Sequence, residues 1–448
     1  MFSLNYSRRD FLRSSVGLAG LTLPTFLQMR AEAGGTRRTP AKSCIIIYLW
    51  GGIGHQESWD PKPDALANLR GEFGVIRTAT TGINFSEHIP LMARHTEKLA
   101  IVRSLHHNIG GHGGALYRSI TGHSAPLGNA MDRKNWPSIT AIISKFRDPA
   151  GGALRAVCMP YLNYDNGALI QGQFGGWLGA AYDPTMMRTP GGEPYGGVSR
   201  YTSHEMDLRL NISRERFLDR QSLMQAFDRP ESAANDHQSV DRFRRMATDM
   251  LVSSPVSQAY DLEQENPRIS TMYGDHIGGQ SLLLARRLVE AGVPVVQVNA
   301  GAGDLAGGGG DNWDTHRDHF VKMRTRLLPV FDRAFSALLT DLEQRGLLDE
   351  TLVAVITDFG RTPIINGNAG RDHHPAVYSQ VLAGGGIRGG QVYGSSDRDG
   401  ARPATGACSP SDFHATVYTA MGIDPRTVLH DHERRPFIIC EGAPLPLF

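Results

Sequence analysis

The sequence predicts an α/β fold, a mostly parallel sheet sandwiched between helices. Three observations predict it. Short, nearly all-apolar runs at 44–50, 99–105, 293–298 and 352–356 have the composition of strands buried on both faces. Amphipathic helical stretches, among them 280–291 and 314–345, stand between them. Strand and helix alternate along the chain, which favours parallel pairing with helices on both sides. Composition agrees with a globular protein, at 40% hydrophobic and 20% charged residues. A formal charge of +1 gives no electrostatic case for a nucleic-acid partner.

The first 33 residues read as a twin-arginine signal peptide. Ser7-Arg8-Arg9-Asp10-Phe11-Leu12 is followed by a weakly apolar segment, 16–27, and by the small-x-small site Ala31-Glu32-Ala33. The segment is too short and too rich in Gly and Thr for a bilayer span, and no later run is long and apolar enough. The expected partner is therefore the twin-arginine translocase, and the expected location is periplasmic or extracellular. Residues 34–43 form a polar linker. From 44 to 448 a single domain is expected, with a loop and helical insertion near 183–275. The four cysteines, Cys44, Cys158, Cys408 and Cys440, form no CxxC pair, which argues against a cysteine zinc site and leaves disulfide pairing open.

Within that domain, 44–50 (CIIIYLW) is the first strand, turned sharply by Gly51-Gly52. Residues 86–95 read as a short helix with Ser86 as N-cap and Pro90 in its first turns. The strand 99–105 runs into a loop rich in His and Gly, 106–114, and a helix at 115–120 stops at Thr121-Gly122. Pro137 opens a helix over 136–147, and 153–159 is a third strand. The Gly- and Pro-rich segment 183–203 suggests a lid or insertion, followed by amphipathic helices at 213–227 and 239–251. Gly292 ends the helix 280–291, the strand 293–298 follows, and then a glycine-laden loop, 301–310. Residues 314–345 read as one long helix or two abutting, about 45 Å in all, closed by Gly346. The strand 352–356 ends in Thr357-Asp358-Phe359-Gly360-Arg361, and a last strand lies at 379–383.

Ligands of open parallel sheets bind beyond the carboxyl ends of the strands. Those ends and their loops deliver His55 and Asp60; His106, His107 and His112; Asp311, Asp314 and His316; Asp358; and Asp372, His373 and His374. Each has an ordinary alternative. His55 could hydrogen-bond a carbonyl, Asp60 could sit in a turn, and Asp314 could cap the long helix. Five separated loops each bringing an acid or an imidazole make a metal site the better account. Arg361 could clamp a tetrahedral anion or hold a structural salt bridge.

The stretches LWGGIGHQESWDPKPDA, RGEFGVIRT, SEHIPLMARH, KLAIVRSLHH, WDTHRDHF, RGLLDETLVAVITDFGRTP, GRDHHP and LAGGGIRGGQVYGSSD together resemble the exported domain-of-unknown-function family 1501, from about Cys44 onward. That family is grouped with the alkaline phosphatase, sulfatase and phosphoglycerate mutase superfamily. The resemblance implies an alkaline-phosphatase-like core with metals at the strand ends. The superfamily's late Asp-His-Gly motif corresponds to Asp358-Phe359-Gly360, its imidazole replaced. The final histidine ligand corresponds to His373 or His374, and the middle pair to Asp314 and His316. The acid expected after the first strand is missing, leaving His55 or Asp60 as substitutes. Cys158-Met159-Pro160 and Cys408-Ser409-Pro410 lack the arginine of the sulfatase nucleophile motif. Counting back from Thr121-Gly122 by the sulfatase spacing puts His112 in the nucleophile's place, as nucleophile or extra ligand, with Ser119 and Thr121 as fallbacks.

The expected function is an exported metal-dependent hydrolase of phosphate or sulfate esters, acting on a small-molecule or glycan ester. Zinc is the favoured cation, with calcium, manganese or magnesium as alternatives. A non-catalytic exported protein binding a metal or glycan on the same fold is the rival.

Overall fold

The computed structural model describes residues 40–124, 128–150, 154–187, 219, 254–300 and 312–448. The expected signal peptide, the linker up to residue 39, residues 188–203 of the expected lid or insertion, the helix at 213–227 apart from residue 219, the helix at 239–251, the loop 301–310 and Asp311 lie outside the described residues.

In chain order the elements that position the site are β1 (Ser43–Leu49), β2 (Leu99–Leu105), α1 (His112–Thr121), α2 (Ile139–Phe146), β3 (Val157–Met159) and β4 (Thr185–Met186). After these come α3 (Ile277–Glu290), β5 (Val295–Asn299), α4 (Leu328–Gln344), β6 (Thr351–Thr357), β7 (Gly360–Ile365), β8 (Arg371–His374), β9 (Tyr378–Gly384), β10 (Gln391–Tyr393) and α5 (Pro410–Ala420). The main sheet has eight strands in the order β10-β2-β9-β6-β1-β5-β3-β4. Only β9 runs against the others, pairing antiparallel with β6 and β2. The expected mostly parallel sheet is therefore present.

The apolar runs explain the layering. Successive side chains of a strand point to opposite faces. Cys44, Ile46 and Tyr48 of β1 join one core, with Leu352, Ala354 and Ile356 of β6. Leu116 and Ile120 of α1, Ile142 of α2 and Phe413 and Val417 of α5 cover that face. Ile45, Ile47 and Leu49 join the other core, with Val353 and Val355. Leu284 and Leu288 of α3 and Phe331, Phe335 and Leu338 of α4 cover it. β1 lies between β5 and β6 in level register, with Tyr48 opposite Asn299 and Leu49 opposite Thr357. The chain therefore leaves β1, β5 and β6 at one edge.

Several boundaries differ from the sequence expectation. Ser86 is not a helix cap but the end of a short strand, Asn84–Ser86, its N–H bonded to Ser58 O; the helix is Pro90–Ala93 alone. Ser138, not Pro137, opens α2, accepting from Ala141 N at 3.1 Å. The expected helix from Asp314 starts at His319, so Asp314 caps nothing. It then passes through a π-helical turn, Met323–Leu327, into α4. Pro329 supplies the reason: it has no N–H to donate back into the preceding turn. The glycine-punctuated stretch after Asp358 is a hairpin of β7 and β8, pairing Arg361 with His373 and Gly360 with His374. No described helix is long and apolar enough to cross a membrane.

Candidate metal centre

The site assembles at the shared carboxyl edge. Asp358 follows the last residue of β6 and is fully buried. Its Oδ1 accepts from Gly51 N at 3.2 Å and Thr357 Oγ1 at 3.1 Å. Its Oδ2 lies 2.6 Å from Nδ1 of His112, the first residue of α1. Both carboxylate oxygens are thus engaged, and Asp358 orients His112 instead of facing a cation itself. Trp50 stacks on His112 at 4.4 Å between ring centroids, and Phe359 flanks His112 and His373 at 5.0 and 4.4 Å. Phe359 therefore walls the site.

Asp314 is the hub. His112 Nε2 lies 3.3 Å from its Oδ2, buried and without a well-aligned hydrogen bond. His316 Nε2 and His373 Nε2 each lie 3.1 Å from its Oδ1. Arg361 Nη2 donates to the same Oδ1 at 2.5 Å. Gly51 makes this approach feasible. Its φ is +107°, and a Cβ there would stand 2.3 Å from Asp314 N.

Each of the three imidazoles is tied back through Nδ1. His112 meets Asp358, His316 meets Asp372 Oδ1 at 2.6 Å, and His373 meets Gly110 O at 2.6 Å. A carbonyl can only accept, so His373 Nδ1 carries the hydrogen, and an ionised Asp372 demands the same of His316. Their Nε2 atoms then present lone pairs to each other at 2.9 Å, beside a carboxylate. Only a proton or a cation among them relieves that repulsion. Imidazoles anchored through Nδ1 on carboxylates and carbonyls, with Nε2 directed inward, are the usual arrangement around a bound metal. One ligand atom each from His112, Asp314 and His373 falls within 4.8 Å of the others, so these residues could hold a metal ion. In tetrahedral zinc, bonds of 2.0–2.1 Å put ligand atoms about 3.3 Å apart; His112 Nε2 lies 3.3 Å from Asp314 Oδ2 and His373 Nε2 3.1 Å from Oδ1.

Without metal the group stores protons. Burial pulls the His112 pKa down, but the Asp314 and Asp358 carboxylates outweigh it and raise the value to about 9. Burial would raise the Asp314 carboxyl, yet His112, His316, His373 and Arg361 hold it far below the usual carboxylate range. A raised folded-state pKa stabilises fully below the ordinary imidazole value of 6.5 and loses that contribution as pH rises through about 9. Chelator-treated protein should therefore melt at progressively lower temperature across that window. Zinc affinity should strengthen over the same range, since binding expels the proton. Melts and metal titrations that are flat with pH would contradict this account.

The structure brings together His112, Asp314, His316, Asp358, Arg361 and His373. It places His55, Asp60 and His374 elsewhere. His55 Nε2 meets Gly400 O at 2.9 Å, and His374 Nε2 meets Ala401 O at 2.8 Å. Asp60 is held by Lys62 at 2.9 Å, by Arg103 at 3.6 Å and by Ser396. His373 and His374 are adjacent in β8, and side-chain alternation sends them to opposite sides. Arg361 is fully buried, donating to Gly51 O, Gly52 O and Arg371 O as well as to Asp314. Its fork braces the loops and is not free for an anion. His107 Nε2 meets Asp358 O at 2.7 Å. The fallback hydroxyls are committed to carbonyls, Ser119 to Thr357 O and Thr121 to Tyr117 O. All four cysteines are buried free thiols, and burial pushes Cys158 and Cys408 up to about 12.

Sequence reasoning missed the layer beneath. Glu57 accepts from Arg371 Nη2 at 2.7 Å and lies 3.0 Å from His319 Nε2; His319 Nδ1 meets Thr315 Oγ1 at 2.6 Å. This network links the 312–319 segment to β8. The available signal was a Glu two residues after His55 and an Arg two before His373, in motifs already singled out.

Fold and site together define an α/β protein with a His–Asp–His group at the carboxyl edge of a mostly parallel sheet. The chain belongs to the family described as "Protein of unknown function (DUF1501)", whose profile matches residues 41–445. Among solved structures it is similar to Ps i-CgsB in complex with k-i-k-neocarrahexaose, at 10% identity and TM-score 0.41, covering 86% of this chain and 73% of that one. It is also similar to the PsFucS1 sulfatase from Pseudoalteromonas sp., at 11% identity and TM-score 0.34, covering 88% and 70%. A third is the phosphonate monoester hydrolase SpPMH from Silicibacter pomeroyi, at 13% identity and TM-score 0.34, covering 90% and 76%. No curated protein matches.

Proposed function

We propose that this protein is an exported, metal-dependent hydrolase of phosphate or sulfate esters, with its cation held by His112, Asp314 and His373. One observation carries the reading: three Nε2 atoms meet around one carboxylate, each ring tied back through Nδ1. A nitrogen-rich set with one carboxylate favours zinc. A divalent cation there would polarise an ester oxygen and lower the pKa of a water beside it. The chain's own residues do the rest. Asp358 and Gly110 O fix the tautomers of His112 and His373, Arg361 fixes Asp314, and Trp50 and Phe359 exclude water from one side. The geometry fits His112 as ligand better than as nucleophile, since Nε2 is directed at the group itself. The ester class rests on the motif resemblance, and export on the twin-arginine pattern.

Metal analysis of purified protein, followed by a screen of aryl phosphates, phosphodiesters and aryl sulfates, tests the proposal. The expected result is bound zinc and a turnover that a chelator abolishes. Absence of metal from the purified, zinc-dialysed protein would sink it. Metal without turnover supports the rival, a binding protein on the same fold. That rival draws strength from Arg361, whose donors are already committed.

A further inference from the structure

We infer that His316 is a displaceable outer ligand of this centre, completing the coordination shell at rest and yielding its place to an oxyanion of the substrate. The inference rests on the metal reading above and deepens it. His112, Asp314 and His373 form the close-set group, and His316 Nε2, 3.1 Å from Asp314 Oδ1 and 2.9 Å from His373 Nε2, stands beside it as the imidazole that would supply a fourth ligand. Structural zinc sites are closed in this way, whereas catalytic ones keep one position open. A closed shell admits substrate only if one ligand leaves.

The four are not equally held. His112 is 6% exposed, and its anchor Asp358 is fully buried. Asp314 and His373 are 24% and 22% exposed; Arg361 pins the first and a backbone carbonyl the second. His316 is 43% exposed, and its anchor Asp372 is 54% exposed. Exposed ion pairs are weak, so the His316 ring is the least costly to release. Its backbone, in contrast, is fixed: Asn366 Nδ2 donates to His316 O at 3.1 Å and to Asp372 Oδ1 at 3.1 Å. Release is thus a rotation of the side chain alone. With the His316 ring turned away, an oxygen of the ester would have room to take the place of its Nε2. No substrate bond breaks and no proton moves in that step.

The test uses full-length protein loaded with cobalt(II), with inorganic phosphate as the probe and visible d–d absorption as the readout. Wild type should show the strong absorption of a four-coordinate ion. His316→Ala should keep its cobalt, absorb more weakly as water enters, and bind phosphate about tenfold more tightly. Asp372→Asn, which loosens the ring without deleting it, should move phosphate affinity the same way while keeping the cobalt. His112→Ala should lose it. Circular dichroism melts establish that each variant is folded. If His316→Ala loses cobalt as His112→Ala does, or leaves spectrum and phosphate affinity unchanged, the inference is wrong while the metal reading stands. A wild type that takes up no cobalt overturns both.

Discussion

Replacing Asp314 with alanine is expected to empty the centre of zinc. Among the described residues, Asp314 is the only carboxylate facing all three imidazoles, through both of its oxygens. Losing a residue that merely orients a ligand typically costs about 10–100-fold in metal affinity. Losing a ligand that also carries the neutralising charge should cost more than about a hundredfold. The variant also leaves Arg361 buried without its carboxylate. Breaking a buried pair costs about 3–5 kcal/mol, so the metal-free variant should melt well below wild type. Wild type should gain stability with added zinc, because a ligand binding only the folded state shifts the equilibrium. Asp314→Ala should gain none. Equal metal content in the two proteins, by elemental analysis after dialysis, would show that Asp314 is not a ligand.

Glu57→Ala is expected to destabilise the protein by about 3–5 kcal/mol, the cost of leaving a guanidinium buried and unpaired. Arg371 is fully buried; besides Glu57 it donates to Thr362 O and Leu69 O, which do not neutralise it. Burial alone would raise the Glu57 pKa, but the Arg371 and His319 charges lower it to about 2. A depressed carboxylate stabilises above its ordinary value of 4.5 and loses that contribution as pH falls toward about 2. Wild type should therefore lose stability steeply in acid, and Glu57→Ala less steeply. Because Arg371 sits two residues before His373, zinc affinity should fall as well. Denaturant titrations at about pH 7 and about pH 3 separate the two effects. A variant as stable as wild type at neutral pH would contradict the account.

What was legible in the sequence follows from what each element depends on. β1 and β6 are buried on both faces, so their apolar runs stand out without reference to anything distant. Asp358 could be placed at a sheet edge for the same reason. β7 and β8 could not be found this way. Their residues Arg361, Arg371 and Asp372 are polar, and their pairing is satisfied by buried ion pairs that periodicity does not register. The choice between His373 and His374 turned on that unseen strand, since alternation separates neighbours only once a strand is known. Sequence alone leaves Asp314 as either cap or ligand, because the helix start, five residues later at His319, depends on contacts across the fold. Glu57 and Arg371 are 314 positions apart, and neither shows locally that it is half of a pair.

The ligand-bearing segments enter the chain at 112, 314–316 and 373, and the last lies on β8, after the central strand β6. A nascent polypeptide stalled before that point has at most part of the cage. On the proposed metal reading, ion capture is therefore among the last events of folding. On that reading, the free-ion supply where the chain completes its fold decides which element the cage takes up.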